Sequence, residues 1–287
     1  MRAVLRLIRL PNVITALADA PAGYLFLEGH FTNPGRVAWL AGVSACLYAG
    51  GVALNDWCDR SLDRAARPER PLPSGQVSPA QALCLAIALL LAGLALSVAA
   101  GGRCAWVAAA LVGCIVSYDV GLKHTWAGPV VMGGCRSLNV ALGMSAATGA
   151  LEDGLIPLGL MGLYVSSLTC FARHETGRVR RRDLAAGLLG MGLAVAGLLS
   201  LAASVRSGAS AFIGWVVVLS CLWGGCAAYV VQRADAFTVR RAVSVFVLGI
   251  VLLDASFVWA GASPWAAAFL AACVVPGALA ARRIPMA

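Results

Sequence analysis

The stretch from Pro79 to Ala100, PAQALCLAIALLLAGLALSVAA, contains no charged residue. A helix of about 20 apolar residues is long enough to cross the hydrocarbon core of a bilayer. Similar runs recur along the chain of 287 residues, of which 60% are hydrophobic and 12% charged. We therefore predict an all-α, polytopic membrane protein. The candidate spans are roughly 8–28, 37–55, 79–100, 104–120, 127–149, 155–172, 184–205, 211–231, 241–261 and 264–281, and prolines in the last run make the number nine or ten.

Composition excludes several other classes of protein. The chain carries too much apolar surface and too little charge to be disordered. Its 22 Lys and Arg outnumber 13 Asp and Glu, but these cations lie between apolar runs, so we predict no nucleic-acid partner. Most of the 10 Cys lie inside apolar runs without a C-x-x-C pair, which favours packing over a zinc site or disulfides. Nothing in the sequence implies an obligate protein partner.

Basic residues are distributed unequally between the two ends of the predicted spans. If ten spans alternate, 18 cations fall on the side of the N-terminus and three on the other, at Arg36, Arg103 and Arg206. Loops rich in Lys and Arg stay in the cytoplasm. We therefore predict a multi-pass protein of the plasma membrane with a cytoplasmic N-terminus and membrane lipids as its surroundings.

Residues 55–75, NDWCDRSLDRAARPERPLPSG, form the most polar connection in the first half of the chain. Asn55, Asp59 and Asp63 have the spacing i, i+4, i+8, which puts three oxygen-bearing side chains on one helical face, and Asp56 flanks that face. Such oxygens suit Mg²⁺, which usually completes its shell with waters and substrate phosphates. A solvated helix end held by salt bridges is the structural alternative. The arginines that alternate with the acids could grip phosphate oxygens; they are Arg60, Arg64, Arg67 and Arg70.

The pattern N-D-x-x-D-x-x-x-D followed by R-P-x-R-P-L-P-S-G resembles the first aspartate motif of the UbiA-type intramembrane prenyltransferases. Arg9-Pro11-Asn12 is similar to the opening element of that family, and Tyr118 with Lys123 to its Y-x-x-x-K element, with one residue more between them. The resemblance implies a single domain over 1–287, in which helices surround a central cavity and bind Mg²⁺ and an isoprenyl diphosphate at its cytoplasmic mouth.

The site residues that the resemblance implies fall into three groups. Asp59, Asp63 and Lys123 would be catalytic. The metal would be held by Asn55, Asp56, Asp59, Asp63 and Glu175, and the diphosphate by Arg64, Arg67, Arg70, Tyr118, Lys123 and Arg178.

The second aspartate motif of the family, D-x-x-x-D, is altered in this chain. Where it should stand the sequence reads FARHETGRVRRRD over 171–183, so that His174 and Arg178 take the places of the two aspartates. Three interpretations stay open. Glu175 binds one Mg²⁺ with help from His174, Arg178 contacts phosphate in place of the metal, or the site has lost transferase activity.

The resulting hypothesis is Mg²⁺-dependent transfer of a prenyl group from an isoprenyl diphosphate to an unidentified acceptor. The acceptor would be aromatic or otherwise nucleophilic, and lipid-soluble or interfacial. A UbiA-like terpene cyclase and a non-enzymatic isoprenoid or lipid carrier are the alternatives. Polar residues within spans are costly to bury and are therefore further candidates. Arg136 and Asn139 could serve a site or the structure, whereas a structural role is favoured for Asp19 and Asp254.

Overall fold

The computed structural model describes residues 2–31, 33–173, 181–205, 208–233, 235–272 and 275. Every regular element within these ranges is helical, which confirms the predicted fold class. Short 3-10 helices follow three of the α-helices, at Leu122–His124, Leu151–Gly154 and Leu198–Ser204. The α-helices are α1 Arg2–Leu7, α2 Leu10–Glu28, α3 Pro34–Cys58, α4 Arg60–Ala66, α5 Pro79–Ala100, α6 Gly102–Val120, α7 Gly128–Met144, α8 Leu155–Ala172, α9 Arg181–Gly197, α10 Ala209–Arg233, α11 Ala236–Gly261 and α12 Pro264–Ala272.

Helix starts follow local signals in the sequence. The Ser78 hydroxyl accepts a hydrogen bond from the Gln81 amide, and the Gln81 side chain accepts one from the Ser78 amide, which together form a capping box. Pro79 then occupies the first turn of α5, where no backbone donor is lost. Asn33 caps α3 in a similar way, by accepting from the amide of Arg36. These caps satisfy donors that would otherwise be unpaired at the ends of the helices.

Seven helical segments in the described part of the chain are long and apolar enough to cross a membrane. The helices α2 and α7 fall outside that set, although both pack at the centre of the bundle. The predicted total of nine or ten spans therefore stays a prediction. The seven segments are Pro34–Cys58, Pro79–Ala100, Gly102–Val120, Leu151–Ala172, Leu184–Ser204, Ala209–Arg233 and Phe237–Gly261.

The buried apolar residues form two clusters, one on each side of the bundle. The first joins α2, α3, α5, α6 and α12. The second joins α8, α9, α10 and α11. Glycines let α2 and α7 approach closely between them: a Cβ added at Gly143 would collide with the carbonyl of Ala20, and one at Gly23 with that of Val140. Small residues at such crossings are typical of helix packing in lipid.

Connections that are distant in sequence meet at the two ends of the bundle. At one end, Arg6 donates to the carbonyl of Glu69, and Arg173 donates to the carbonyls of Lys123 and Thr125. We call this the Arg9 end, after the residue between α1 and α2. At the other end, the carboxylate of Glu28 accepts from Thr148 and Arg103 donates to the carbonyl of Ala147. Lys123 also pairs with Asp59. The start of the chain, the loop around α4, the turn at Lys123 and Arg173 therefore share one end, and the sequence predicts all of them on one side of the membrane.

Candidate active site

A cavity of about 550 Å³ lies between the two halves of the bundle. Its walls come from α3, α6, α7, α8 and α11, and the loop after α4 contributes to its mouth at the Arg9 end. Apolar side chains cover much of the wall, including Leu111, Ile115, Val165, Leu168 and Ile250. Polar side chains line the rest, and they include Arg9, Asn12, Tyr48, Asn55, Arg67, Arg70, Tyr118, Asp119, Arg136, Asn139 and Arg240.

Two arginines and two aspartates form a buried ion-pair cluster at the mouth. Arg9 Nη2 lies 2.8 Å from Asp56 Oδ1. Arg70 Nη1 lies 2.7 Å from Asp63 Oδ2 and 3.4 Å from Asp56 Oδ1. The backbone of Arg9 is left-handed, with φ 49° and ψ 57°, a conformation that costs a non-glycine residue about 1–2 kcal/mol. The bond to Asp56 helps to offset that cost, and the turn directs the guanidinium toward the cavity.

One edge of the Arg70 guanidinium makes no hydrogen bond to the part of the chain that the structure describes. Its Nε and Nη2 atoms are buried and have no hydrogen-bond partner among the described residues. These two nitrogens form the edge that binds phosphate or carboxylate with two parallel hydrogen bonds. Buried donors are normally paired. Because Arg70 lines the cavity, its free edge indicates the place of an anionic ligand.

A second polar group surrounds the ammonium of Lys123, in the turn after α6. Lys123 Nζ lies 2.7 Å from Asp59 Oδ1 and 3.9 Å from Asp119 Oδ1. Asn55 donates to Asp119 over 2.7 Å. A carboxylate from the junction of α3 and α4 and one from α6 thus converge on one cation. Asp59 and Lys123 line a shallower pocket of about 410 Å³ beside the main cavity, and Asp119 lines both.

The candidate residues from the sequence occupy distinct places. Asn55, Arg67, Arg70 and Tyr118 line the main cavity, and Asp59 and Lys123 line the adjoining pocket. Asp56 and Asp63 are buried behind the cavity wall, where they hold the arginines. Arg64 is exposed and lines neither space. Glu175 and Arg178, with His174, lie outside the described residues, so the three interpretations of the altered motif stay open.

Sequence reasoning missed Asp119 and Arg240. Asp119 follows Tyr118 directly, and a carboxylate near the end of an apolar span was the available signal. Arg240 lies on α11, and its sequence gives no indication that it lines a cavity with residues from α3. Arg9 was noted only as part of the opening element, and its pairing with Asp56 connects positions 47 residues apart.

The oxygens around Asp59 fit a magnesium ion in their chemistry. Asn55, Asp59 and Asp119 bring an amide and two carboxylates together, and the cation already held there is the ammonium of Lys123. Mg²⁺ is commonly bound by one or two carboxylates together with substrate phosphates and waters. No group of three or more His, Cys, Asp or Glu side chains in the described ranges is placed to hold a metal by itself. The remaining ligands would thus come from the substrate and water.

A further polar network lies deeper between the helices. Arg136 Nη1 donates to Asp19 Oδ2 over 2.7 Å, and Nη2 donates to Thr15 over 3.1 Å. Asn139 donates to Asp19 over 2.8 Å and to Ser44 over 2.7 Å. These bonds join α2, α3 and α7 within the bundle. Arg136 and Asn139 make these structural bonds and also line the cavity. A role in a binding site and a role in the structure therefore both stay open for them.

Known proteins resemble this chain in sequence and in fold. A family model described as the UbiA prenyltransferase family matches residues 14–243. A digeranylgeranylglyceryl phosphate synthase from Methanoculleus marisnigri is 39% identical over 95 residues, which cover 33% of this chain and 33% of that protein. The match thus spans about a third of the length of that curated relative.

Two solved structures share the fold. One is the apo structure of a UbiA homologue from Aeropyrum pernix, with a TM-score of 0.69 and 19% identity over 85% of this chain and 96% of that one. The other is a UbiA homologue from Archaeoglobus fulgidus bound to GPP and Mg²⁺, with a TM-score of 0.57 and 14% identity over 92% of this chain and 99% of that one. Because the sequence identities are this low, the two structures support the fold of this chain and nothing further. The family match itself confirms the resemblance that residues 55–75 indicated.

Proposed function

The chain belongs to the UbiA prenyltransferase family, and from that premise we propose that it transfers a prenyl group from an isoprenyl diphosphate to an acceptor within the membrane, with the help of Mg²⁺. One observation carries the proposal. Arg70, whose Nε–Nη2 edge has no hydrogen-bond partner among the described residues, lines the mouth of a cavity whose wall is largely apolar. A ligand with an anionic head and a hydrocarbon tail satisfies both features.

The diphosphate would bind at the mouth. Arg70 contacts it through the free edge, while Asp63 and Asp56 hold the other side of the guanidinium. Arg9 adds a second positive charge, since its buried Nε also has no hydrogen-bond partner among the described residues. Bonds between guanidinium and phosphate are charge-assisted and about twice as strong as neutral ones. Arg67 lines the same mouth.

Asn55 and Asp59 would hold Mg²⁺, which when bound neutralises the negative charge that develops on the leaving diphosphate. Lys123 lies 2.7 Å from Asp59 and supplies a fixed positive charge beside the same oxygens. Asp63 as a further metal ligand stays a prediction, because its carboxylate is engaged by Arg70 in the structure described here. Glu175 and Arg178 stay predictions as well.

In the proposed reaction, the bond between the diphosphate oxygen and the allylic C1 carbon breaks, and pyrophosphate leaves with the electron pair. The nucleophilic atom of the acceptor forms a bond to C1 and releases its proton. The apolar wall around Leu111, Ile115 and Leu168 keeps water away from the allylic cation. Charged groups that are fixed in advance stabilise the departing anion without reorganisation.

Reconstituted protein tests the proposal directly. Proteoliposomes are incubated with labelled geranyl, farnesyl or geranylgeranyl diphosphate, with or without a lipid extract as acceptor and with or without Mg²⁺. We expect a new labelled lipid that forms only with metal and extract. Asp59→Ala should abolish it, whereas Asp153→Ala, in an exposed turn at the opposite end, should retain it.

Other outcomes would contradict the transferase. A labelled hydrocarbon formed without extract would indicate a terpene cyclase. Binding of the labelled diphosphate without any product, unaffected by Asp59→Ala, would indicate a carrier.

A further inference from the structure

We propose that Arg136 and Asn139 form a hydroxyl-binding subsite for the acceptor at the inner end of the cavity. This inference rests on the proposed function and adds the chemistry of the acceptor to it. Both side chains line the cavity, and both are almost fully buried, with 7% and 4% of their surface exposed.

Asn139 has an unsatisfied acceptor. Its side-chain nitrogen donates to Asp19 and to Ser44, so both of its hydrogens are used. Its Oδ1 atom is buried and has no partner among the residues that the structure describes. A buried polar atom of this kind costs about 1–3 kcal/mol unless it is paired. A ligand that enters the cavity can pair it only by donating an O–H or N–H.

Arg136 supplies the complementary donors. It is held by Asp19 and Thr15, and its guanidinium carbon lies 4.7 Å from the centre of the Tyr48 ring. A guanidinium carries more N–H groups than these two bonds use. The side chain is therefore fixed in place and still able to donate to a ligand oxygen.

The charges around the subsite select a neutral group. Arg136 and Asp19 form an ion pair with no net charge, so a carboxylate or phosphate that enters the subsite finds no uncompensated positive charge. An ammonium group likewise finds no uncompensated negative charge, because Arg136 already neutralises Asp19. A hydroxyl group is neutral and both donates and accepts, so it can bond to Asn139 Oδ1 and to Arg136 at once.

The position of the subsite separates it from the diphosphate. Tyr48, which stacks on Arg136, lies about 10 Å along α3 from Asn55 at 1.5 Å of rise per residue. Apolar residues such as Ile115 and Met132 line the cavity with them. The expected acceptor thus has an apolar body, with its hydroxyl group at the inner end and its reacting atom toward the mouth.

Binding of two small probes tests the subsite without a known acceptor. The dissociation constants of 4-ethylphenol and of its methyl ether, 4-ethylanisole, are measured by calorimetry on protein in nanodiscs, with empty nanodiscs subtracted. The ether keeps the oxygen but cannot donate to Asn139. We expect the phenol to bind at least tenfold more tightly to the wild-type protein, and equal constants would overturn the proposal.

Variants assign the preference to the two side chains. Asn139→Leu should remove the difference between the probes, and so should Arg136→Gln combined with Asp19→Asn, which avoids leaving a lone buried charge. Arg103→Gln, at the end of the bundle opposite the Arg9 end, is the matched control and should keep the preference. If the preference survives both the Asn139 and the Arg136 variants, the subsite is elsewhere and the proposal is wrong.

A separate assay tests the proposed function. Release of pyrophosphate from labelled geranylgeranyl diphosphate depends on the mouth of the cavity. If the wild-type protein shows no probe preference but keeps Mg²⁺-dependent release, only the subsite is refuted.

Discussion

Arg70 illustrates how one side chain can be both structural and functional. Its Nη1 atom is bound to two carboxylates. Its buried Nε and Nη2 atoms have no hydrogen-bond partner among the described residues, and the side chain lines the cavity. A lysine at this position would keep the charge but not the planar fork. The geometry of the guanidinium, rather than its charge alone, is what we expect the diphosphate to require.

Substitution Arg70→Lys tests this requirement. We expect the affinity for a non-hydrolysable geranylgeranyl thiolodiphosphate to fall by tenfold or more, because a charge-assisted hydrogen bond contributes about 1.5–3 kcal/mol. Calorimetry in detergent measures it. Arg36→Lys, near the start of α3 at the other end, is the control. Equal affinities for the two variants would show that the free edge of Arg70 does not contact the ligand.

We infer that Arg173 positions Lys123. It donates to the carbonyls of Lys123 and Thr125 over 3.2 and 2.8 Å and so fixes the turn after α6. We expect Arg173→Gln to lower kcat severalfold with little change in melting temperature, and to speed hydrogen exchange at the amides of 122–125. Unchanged exchange together with lower activity would place the role of Arg173 elsewhere.

At the level of helices, the crossing of α2 and α7 depends on glycine. Gly143→Ala puts a methyl group against the carbonyl of Ala20, and overpacking of this kind costs about 1–3 kcal/mol. We expect a lower melting temperature in detergent. Gly113→Ala on α6 meets nothing within 4 Å and should leave stability unchanged or slightly raised, because alanine favours helix. A harmless Gly143→Ala would contradict the close packing.

The start of α11 should make stability depend on pH. The Asp235 carboxylate accepts from the amide and the hydroxyl of Thr238, and these bonds lower the pKa of Asp235. Because the pKa is lower in the folded protein, the cap stabilises above the unfolded value of about 3.9 and is lost as pH falls through the folded value. Asp235→Ala should therefore lower the melting temperature at pH 7, and the gap to wild type should close at strongly acidic pH. A gap independent of pH would argue against the cap.

The sequence predicted elements better than it predicted contacts between them. The run 79–100 became α5 with the same bounds, since Ser78, Pro79 and Gly101 mark its ends locally. The run 127–149 was too long, because α7 ends at Met144 and the small residues that follow form turns. The pairing of Asn55 with Asp119, 64 residues away, depends on how α3 packs on α6. No local pattern in the sequence carries that information. The motif at 55–75 was therefore recognised, whereas its neighbour Asp119 was not.

For the whole molecule, the orientation in the membrane is the main prediction. The polar loops that hold Asp59, Lys123 and Arg173 share the Arg9 end, and the cation imbalance predicts that this end is cytoplasmic. In a cysteine-free background, Arg64→Cys should react with a membrane-impermeant maleimide in inside-out vesicles and Arg103→Cys in right-side-out vesicles. The opposite labelling would reverse the topology.

The bond between Asp19 and Arg136 also has a consequence for biogenesis. Its partners are 117 residues apart, so α2 leaves the ribosome long before α7 exists. Until then, the Asp19 carboxylate has no guanidinium to neutralise it, and α2 is not among the segments that can span by hydropathy alone. We therefore expect α2 to stay at the insertion machinery, or at the lipid interface, until Arg136 arrives. In a cysteine-free background, a cysteine introduced by Ala18→Cys in α2 should react with a water-soluble maleimide in nascent chains truncated before α7, and should be protected in chains truncated after α7.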